Sequence, residues 1–353
     1  MRIAVLSDVH SNYIALDLVV ADATKERGVD DFWFLGDAIS YGSQPLETLD
    51  MLREIVSNKN WVIGNHDALY ANFLHPGGFR PEAQIMMNHN RGLIDAKRKN
   101  SPVFAKFMDE RFSKVHQPLK QKCINGTTYF ISHSGFDWTE YDYYYFDSDH
   151  YVDKERIKIL FNEIASQRTS SAPWRFLKRE NSESRVLFIG HTHTPAVAYM
   201  DSETQNIKSL KIRRGIVDLR KDCNNAQIIV VNPGSVGFPK DRWHYPSYVI
   251  LDTKKKQIEF CRVMEYDYND FDQGYKVVKK NIAEYIKDGL WKQENLNHQN
   301  GTGFAKYEIS EPEAKKTILK IEQEILNAPH PRNDYLRSDF RKFYDSDSGI
   351  DLS

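Results

Sequence analysis

The first third of the chain alternates short apolar runs with amphipathic stretches. Residues 3–6, 32–35 and 61–63 are continuously apolar and rich in β-branched and aromatic side chains, and residues 16–20 lie in a helical stretch that Gly28 ends. Runs that are apolar at every position suit strands covered on both faces and joined by right-handed crossovers. The pattern therefore predicts strand, helix, strand, helix, strand from residue 2 to about 63. Residues 68–118 read as helical and irregular, with breaks at Pro76, Gly77 and Gly78. Further strands are predicted at 128–132, 185–189, 196–200, 228–231, 248–251 and 258–263. The later ones alternate with period two, which points to antiparallel pairing.

This pattern divides the chain into a core at 1–265, interrupted by insertions at about 68–118 and 136–184, then a helical extension at 266–344 and a polar tail at 345–353 of disorder-prone composition. The second insertion opens on the aromatic and acidic residues 136–151, which include Trp138, Tyr141, Tyr143, Tyr144, Tyr145 and Phe146, and passes into a helix-like segment at 153–167. Such a stretch could stack on a nucleobase or pack against the protein or a second subunit, so a homo-oligomer stays open. Two helices are expected near 273–288 and 311–326.

Composition narrows the classes. The 353 residues carry a net charge of −1, with 41% apolar and 27% charged residues, as in an ordinary globular protein. Bulk binding of nucleic acid or of an anionic membrane is not implied. No apolar stretch approaches the ~20 residues that span a bilayer, and the apolar run at the N-terminus is too short for a signal-peptide core, so a cytoplasmic location is expected. Cys123, Cys223 and Cys261 are widely spaced and form no Cys-x-x-Cys pair, which leaves buried reduced thiols as their expected state.

The chemistry enters through five segments that share one grammar, an apolar run followed by metal-ligand residues. They are Asp8-Val9-His10, Gly36-Asp37, Gly64-Asn65-His66-Asp67, His133 and Gly190-His191-Thr192-His193. In open α/β sheets, sites form beyond the carboxyl ends of strands, so the five segments can converge on one crevice. Two carboxylates, an amide and four imidazoles exceed what one tetrahedral ion needs and suit two divalent ions sharing a carboxylate. In a locally extended chain the Asp-x-His and His-x-His pairs send their side chains to one side, so the two members of each pair can act together at the site.

The set Asp-x-His, Gly-Asp, Gly-Asn-His-Asp, a later His and Gly-His-x-His resembles the signature of calcineurin-like metallophosphoesterases. The stretch Asn232-Pro233-Gly234-Ser235-Val236-Gly237 is similar to one in the small bacterial phosphodiesterase-like branch, although a plain turn would read the same way. The resemblance covers about residues 1–65, 127–135 and 185–265. It implies an α/β fold, a two-sheet sandwich flanked by helices (α/β/β/α). It also implies two divalent ions, manganese by preference, with iron, zinc, nickel or magnesium as alternatives. Asp8, His10 and His193 would hold one ion, Asn65, His133 and His191 the other, and Asp37 would bridge them. A metal-bridging hydroxide would attack a phosphate ester, with His66 as general acid and Asp67 orienting it. A phosphodiesterase is the favoured activity, and a nucleotide stays open as substrate.

Two rival readings follow from the same residues. Protein serine/threonine phosphatases carry Gly-Asp-x-Val-Asp-Arg-Gly and Arg-Gly-Asn-His-Glu, whereas this chain reads Gly36-Asp37-Ala38-Ile39-Ser40-Tyr41-Gly42 and Ile63-Gly64-Asn65-His66-Asp67, without the arginines that would grip a monoester. A non-catalytic scaffold of the same fold binding a protein partner could dispense with the catalytic histidines, yet His66 and the whole ligand set are present.

Overall fold

A computed structural model describes residues 1–74, 79, 81–112, 119–134, 184–201, 203–204, 206–212, 214–241, 245–266 and 350–351. The chain begins β1 (Arg2–Leu6), α1 (Tyr13–Ala21), β2 (Asp31–Phe34), α2 (Pro45–Ile55) and α3 (Asn65–Tyr70), followed by α4 (Pro81–Asn100) and α5 (Pro102–Arg111). The strands β3 (Leu119–Ile124), β4 (Thr127–Ser132), β5 (Ser184–Phe188), β6 (Pro195–Met200), β7 (Ile207–Ile212) and β8 (Gly215–Asp218) come next. After them stand β9 (Ile228–Pro233), β10 (Ser247–Asp252), β11 (Gln257–Arg262) and β12 (Ile350–Asp351). They form two sheets, β2-β1-β10-β11-β8 and β12-β7-β6-β9-β5-β4-β3. In the first, β1 is parallel to β2 and antiparallel to β10; in the second, β4, β5 and β9 run parallel and β6 is antiparallel to β9.

Strand alternation explains the layers. Ile3 and Val5 of β1, Trp33 and Leu35 at β2, and Val249 and Leu251 of β10 point toward the second sheet, where they meet Tyr129, Ile131, Val186, Phe188, Ile229 and Val231. The intervening residues Ala4, Leu6, Phe32, Phe34, Tyr248 and Ile250 point the other way, onto Ala15, Leu16 and Val19 of α1, Leu49 and Leu52 of α2, and Phe104 and Phe107 of α5. Both faces of the first sheet are thus buried, which is why its central strands read as unbroken apolar runs. The result is an α/β fold of two mixed sheets with helices, as the resemblance implied, in which the described helices α1, α2 and α5 cover the outer face of the first sheet.

Several expectations are corrected. Residues 61–63 form no strand. Their link to the first sheet is an isolated parallel bridge between Phe34 and Trp61, with the Val62 amide donating to the Phe34 carbonyl at 3.0 Å. The strands β3, β7 and β8 were not foreseen, and Ile350–Asp351 of the polar tail pairs with β7. Cys223 and Cys261 are buried as expected, but Cys123 is exposed. The basic run Lys97-Arg98-Lys99 is partly tethered, since Lys97 pairs with Asp50 on α2 and Arg98 with Asp109 on α5. The aromatic stretch 136–151, the helix-like 153–167 and the helices expected at 273–288 and 311–326 lie outside the described residues.

Trp33 is the centre of the layer between the sheets. It is fully buried, with its ring edge-on to Tyr129 and Phe188 at 6.1 Å each. Replacing Trp33 by alanine leaves a cavity between two close-packed sheets and is expected to cost roughly 3–5 kcal/mol. The exposed Val103→Ala should change stability by less than about 0.5 kcal/mol. Urea denaturation checks both: the midpoint of Trp33→Ala should fall markedly and that of Val103→Ala should not.

Candidate functional site

Most candidate residues lie just beyond a strand end, as the sequence pattern predicted, whereas Asn65 and His66 stand at the start of α3 with no strand directly before them. Asp8 and His10 follow β1, Asp37 follows β2, His133 follows β4, and His191 and His193 follow β5, while Asn65 and His66 open α3. All are buried. The local chain is not extended, as the Asp-x-His reading supposed. Asp8, His10, Asp37, His191 and His193 all have left-handed backbone, with φ of 53°, 50°, 58°, 66° and 61°. That region is uncommon for residues with a side chain, and its clustering marks a site where the surrounding structure holds the chain against its preference.

Two glycines allow the loops to close. Gly36 has φ +100°, and a Cβ there would stand 2.3 Å from the Gly64 nitrogen. A Cβ on Gly64 would in turn lie 2.1 Å from Asp37 Oδ1. The β2 loop and the start of α3 therefore interlock with no room for a methyl group. Asp67 binds the junction: its carboxylate accepts the backbone N–H groups of Asp37 (2.8 Å), Ala38 (2.9 Å) and Gly64 (3.1 Å). This corrects the expectation that Asp67 orients His66. Its oxygens hold backbone, and His66 Nδ1 has no hydrogen-bond partner among the described residues.

The imidazoles show what the site is shaped to hold. His10 Nδ1 donates to the Ile39 carbonyl (3.2 Å), His133 Nδ1 to the Leu35 carbonyl (2.9 Å) and His193 Nδ1 to the Phe238 carbonyl (2.5 Å). A carbonyl oxygen can only accept, so in the neutral rings the Nε2 atoms are left as lone pairs. Those Nε2 atoms converge. His10 and His193 face each other at 3.2 Å, His193 lies 3.2 Å from Asp8 Oδ1, and His10 and His133 lie 3.6 and 3.3 Å from Asp37 Oδ2. Asn65 Oδ1 is 3.0 Å from both His133 Nε2 and His191 Nδ1. Burial keeps the His10 and His193 rings neutral, so their Nε2 lone pairs oppose each other at 3.2 Å, and the donor set around them fits divalent ions. Asp8, His10 and His193 could hold one; Asp8, Asp37 and His133 also bring ligand atoms within 4.8 Å of one another. His66 enters a similar group with His10 and Asp37, so its position alone does not separate a ligand from a neighbour.

Electrostatics agree with this arrangement. Burial pushes the Asp8 and Asp37 carboxyls up, but the histidines around them override it, His193 foremost at Asp8 and His133 foremost at Asp37, and both stay ionised. Burial disfavours the imidazolium at His133, yet the Asp37 carboxylate prevails and raises it to about 9. At His66 burial wins and lowers it to about 4, with Asp37 opposing and Lys240 assisting. At His191 burial followed by the charge of His133 lowers it to about 3. Asp67 is pushed up to about 7 by burial and by Asp37.

The end of β9 and the segment after it form more than a plain turn. Asn232 Nδ2 donates to the Gly190 carbonyl (2.8 Å) and to Thr192 Oγ1 (2.9 Å), bracing the His191–His193 turn. Ser235 Oγ donates to the Asp8 carbonyl at 2.8 Å, and the amides of Val236 and Gly237 donate to Ser7 and Asp8 at 3.0 Å each. Beyond them Phe238 stacks on Tyr41 with centroids 5.0 Å apart, and Tyr41 lies 4.9 Å from His66. A buried Arg262–Asp241 ion pair anchors the end of the segment. Asn232 and Ser235 are thus supports of the site that ligand chemistry alone did not single out, although the motif containing them was visible.

Comparison with known proteins supports this geometry. Residues 1–200 match the profile of a family described as calcineurin-like phosphoesterase. An uncharacterised protein of Methanocaldococcus jannaschii is 30% identical over 289 residues, covering 82% of this chain and 97% of that protein. The crystal structure of a metallophosphoesterase from Sphaerobacter thermophilus is similar with a TM-score of 0.53 and 25% identity, over 78% of this chain and 92% of that one. A symmetrical bis(5'-nucleosyl)-tetraphosphatase of Sodalis glossinidius is 32% identical over 75 residues, which are 20% of this chain and 27% of that protein.

The charge pattern predicts proton release. His133 can serve as a ligand only by offering a lone pair, whereas without metal it keeps its proton below about pH 9. Loading with a divalent ion at pH 7.5 should therefore expel about one proton per chain from this residue, and the release should vanish well above pH 9. Calorimetry in two buffers of different ionisation heat measures it. An observed heat independent of buffer at pH 7.5 would contradict the assignment.

Proposed function

This chain belongs to the calcineurin-like phosphoesterase family, and on that premise we propose that it is a divalent-metal-dependent phosphoric ester hydrolase acting on phosphodiesters at a two-ion site. The observation that carries the reading is the convergence of Nε2 atoms from His10, His133 and His193, each fixed by a backbone carbonyl, on the carboxylates of Asp8 and Asp37. Asp8, His10 and His193 would hold one ion and Asn65, His133 and His191 the other, with Asp37 shared. Such ions supply Lewis-acid polarisation of the phosphoryl group and an activated water.

The remaining steps fall to the chain itself. Asp37 stands between the two histidine groups and keeps them in register. Its Oδ1 also accepts the His66 amide at 2.8 Å, fixing the start of α3 beside the crevice. His66 is neutral at rest because it is buried. A phosphate anion beside the ring favours the imidazolium, the form that can give a proton to a leaving alkoxide. Lys240, exposed at the rim, lowers the proton affinity of His66, His191 and His193 and so adds a positive field where an anionic substrate arrives.

The local likeness to tetraphosphatases favours a second reading, hydrolysis of a phosphoanhydride in a dinucleoside polyphosphate. Manganese-loaded protein tested on bis-p-nitrophenyl phosphate, p-nitrophenyl phosphate, cyclic nucleotides and dinucleoside tetraphosphates separates the readings by relative kcat/KM. No turnover on any of them with both ions bound would overturn hydrolysis altogether.

Two variants test the assigned roles. Asp37→Asn should abolish both steps of a manganese titration, because one carboxylate serves both ions; survival of one normal step would remove Asp37 from the shared position. His66→Asn should keep two ions while turnover on an alkyl diester falls by ~10²–10⁴-fold, the usual worth of general acid catalysis. Its effect on a p-nitrophenyl ester, whose leaving group needs little protonation, should be distinctly smaller. Equal losses on both esters would make His66 a positioning residue, and loss of metal would make it a ligand.

A further inference from the structure

Asn90 sits on the buried side of α4, in a segment that shares none of the ligand motifs, and is fully shielded from solvent. Its amide reaches both loops that frame the Asp8–His10 side of the crevice. Oδ1 accepts the Ser11 hydroxyl at 2.6 Å and the Ser40 amide at 2.8 Å, and Nδ2 donates to the Gly42 carbonyl at 3.1 Å. Both lone pairs of the oxygen are used, so the side chain is a three-point clamp. Ser11 directly follows His10 and comes from the loop after β1; Ser40 and Gly42 come from the loop after β2.

The clamped backbone is the part least able to hold itself. Ser11, Ser40 and Tyr41 have φ of 55°, 79° and 58°, a conformation that side-chain-bearing residues adopt only when their surroundings impose it. Between these points runs Ile39, whose carbonyl accepts His10 Nδ1 at 3.2 Å and so directs His10 Nε2 into the site. The Gly42 amide donates back to the His10 carbonyl at 2.9 Å. Among the described residues, the hydrogen bonds of Asn90 reach neither the second group, Asn65, His133 and His191, nor the backbone carbonyls of Leu35 and Phe238 that orient His133 and His193.

We propose that Asn90 is a positioning residue for the ion held by Asp8, His10 and His193, clamping the loops after β1 and β2 so that the Ile39 carbonyl stays on His10 Nδ1. The inference rests on the two-ion reading for its metal arm and on the hydrogen bonds alone for its structural arm. The partners behind a metal-binding histidine are worth roughly 10–100-fold in affinity. Asn90→Ala should weaken one step of the manganese titration by about that factor and leave the other within about twofold.

Calorimetric titration of the full chain with Mn²⁺ and nitrogen-15 NMR of the histidine rings in metal-stripped protein test this together. In the wild type His10 should be the Nδ1–H tautomer; in Asn90→Ala it should lose that signature while His133 and His193 keep theirs. Ser11→Ala removes one clamp bond with little threat to folding, and should give a smaller loss at the same step. The double variant should be no worse than Asn90→Ala, since both act through one oxygen. Wild-type affinities and an unchanged His10 tautomer in both single variants would overturn the proposal. So would equal weakening of both steps, which would mark a general loss of structure. If the wild type bound fewer than two ions, the proposed function would fail, and the tautomer of His10 would still decide the role of Asn90.

Discussion

The burial of two carboxylates, an amide and several imidazoles in one small volume is the constraint around which this structure is arranged. Two carboxylates, an amide and a ring of imidazoles cannot be packed together in a protein interior at no cost. Here they are brought within a few ångströms of one another, with His10 Nε2 and His193 Nε2 at 3.2 Å. A fold that holds such a cluster out of water needs rigid walls and supports behind the donors. The described residues provide both: two sheets whose central strands are buried, and short left-handed loops capped by interlocking glycines.

The supports are side chains that bind backbone. Asp67 collects three amides from two loops, Asn232 and Ser235 hold the turns at Gly190 and Asp8, and Asn90 joins the loops after β1 and β2. None of these contacts needs a particular partner side chain on the loops, apart from the Ser11 hydroxyl and Thr192. The loop residues are therefore free to be chosen for the metal, while the burden of shape falls on a few polar residues behind them. That division also explains why Asp67 carries a raised proton affinity. A carboxylate placed for its hydrogen bonds to amides, next to Asp37 and away from water, is held there despite its charge.

Much of this was legible in the sequence because ligand chemistry needs particular residue types. Asp8, His10, Asp37, Asn65, His133, His191 and His193 stood out by type and by their place after apolar runs, and the two-sheet sandwich followed from the resemblance they carried. What escaped has a common cause, which is dependence on backbone or on partners distant in the chain. Residues 61–63 read as a strand, but after the Val62 amide the line leaves the sheet, because Gly64 must turn into α3. The four-residue β8 acquires its strand character by pairing with β11, and the lysine-bearing β7 by pairing with β6 and β12. Asp67 beside His66 suggested a side-chain partnership, whereas its acceptors' partners are amides, which every residue possesses. Asn90 is one polar residue in a helix of many, and nothing in its own segment distinguishes it.

The site draws its residues from the ends of both sheets. Asp8, His10 and Asp37 belong to the edge of one, and His133, His191 and His193 to the edge of the other, with the Asp8 carboxylate accepting the His191 amide across 183 positions of sequence. Such a cluster cannot exist in any partly assembled chain that has only one sheet in place. Its formation therefore needs the long-range contacts of both sheets, which are slow to close in general. An ion seated there would act as a fastener between leaves already made, slowing their separation more than it speeds their meeting.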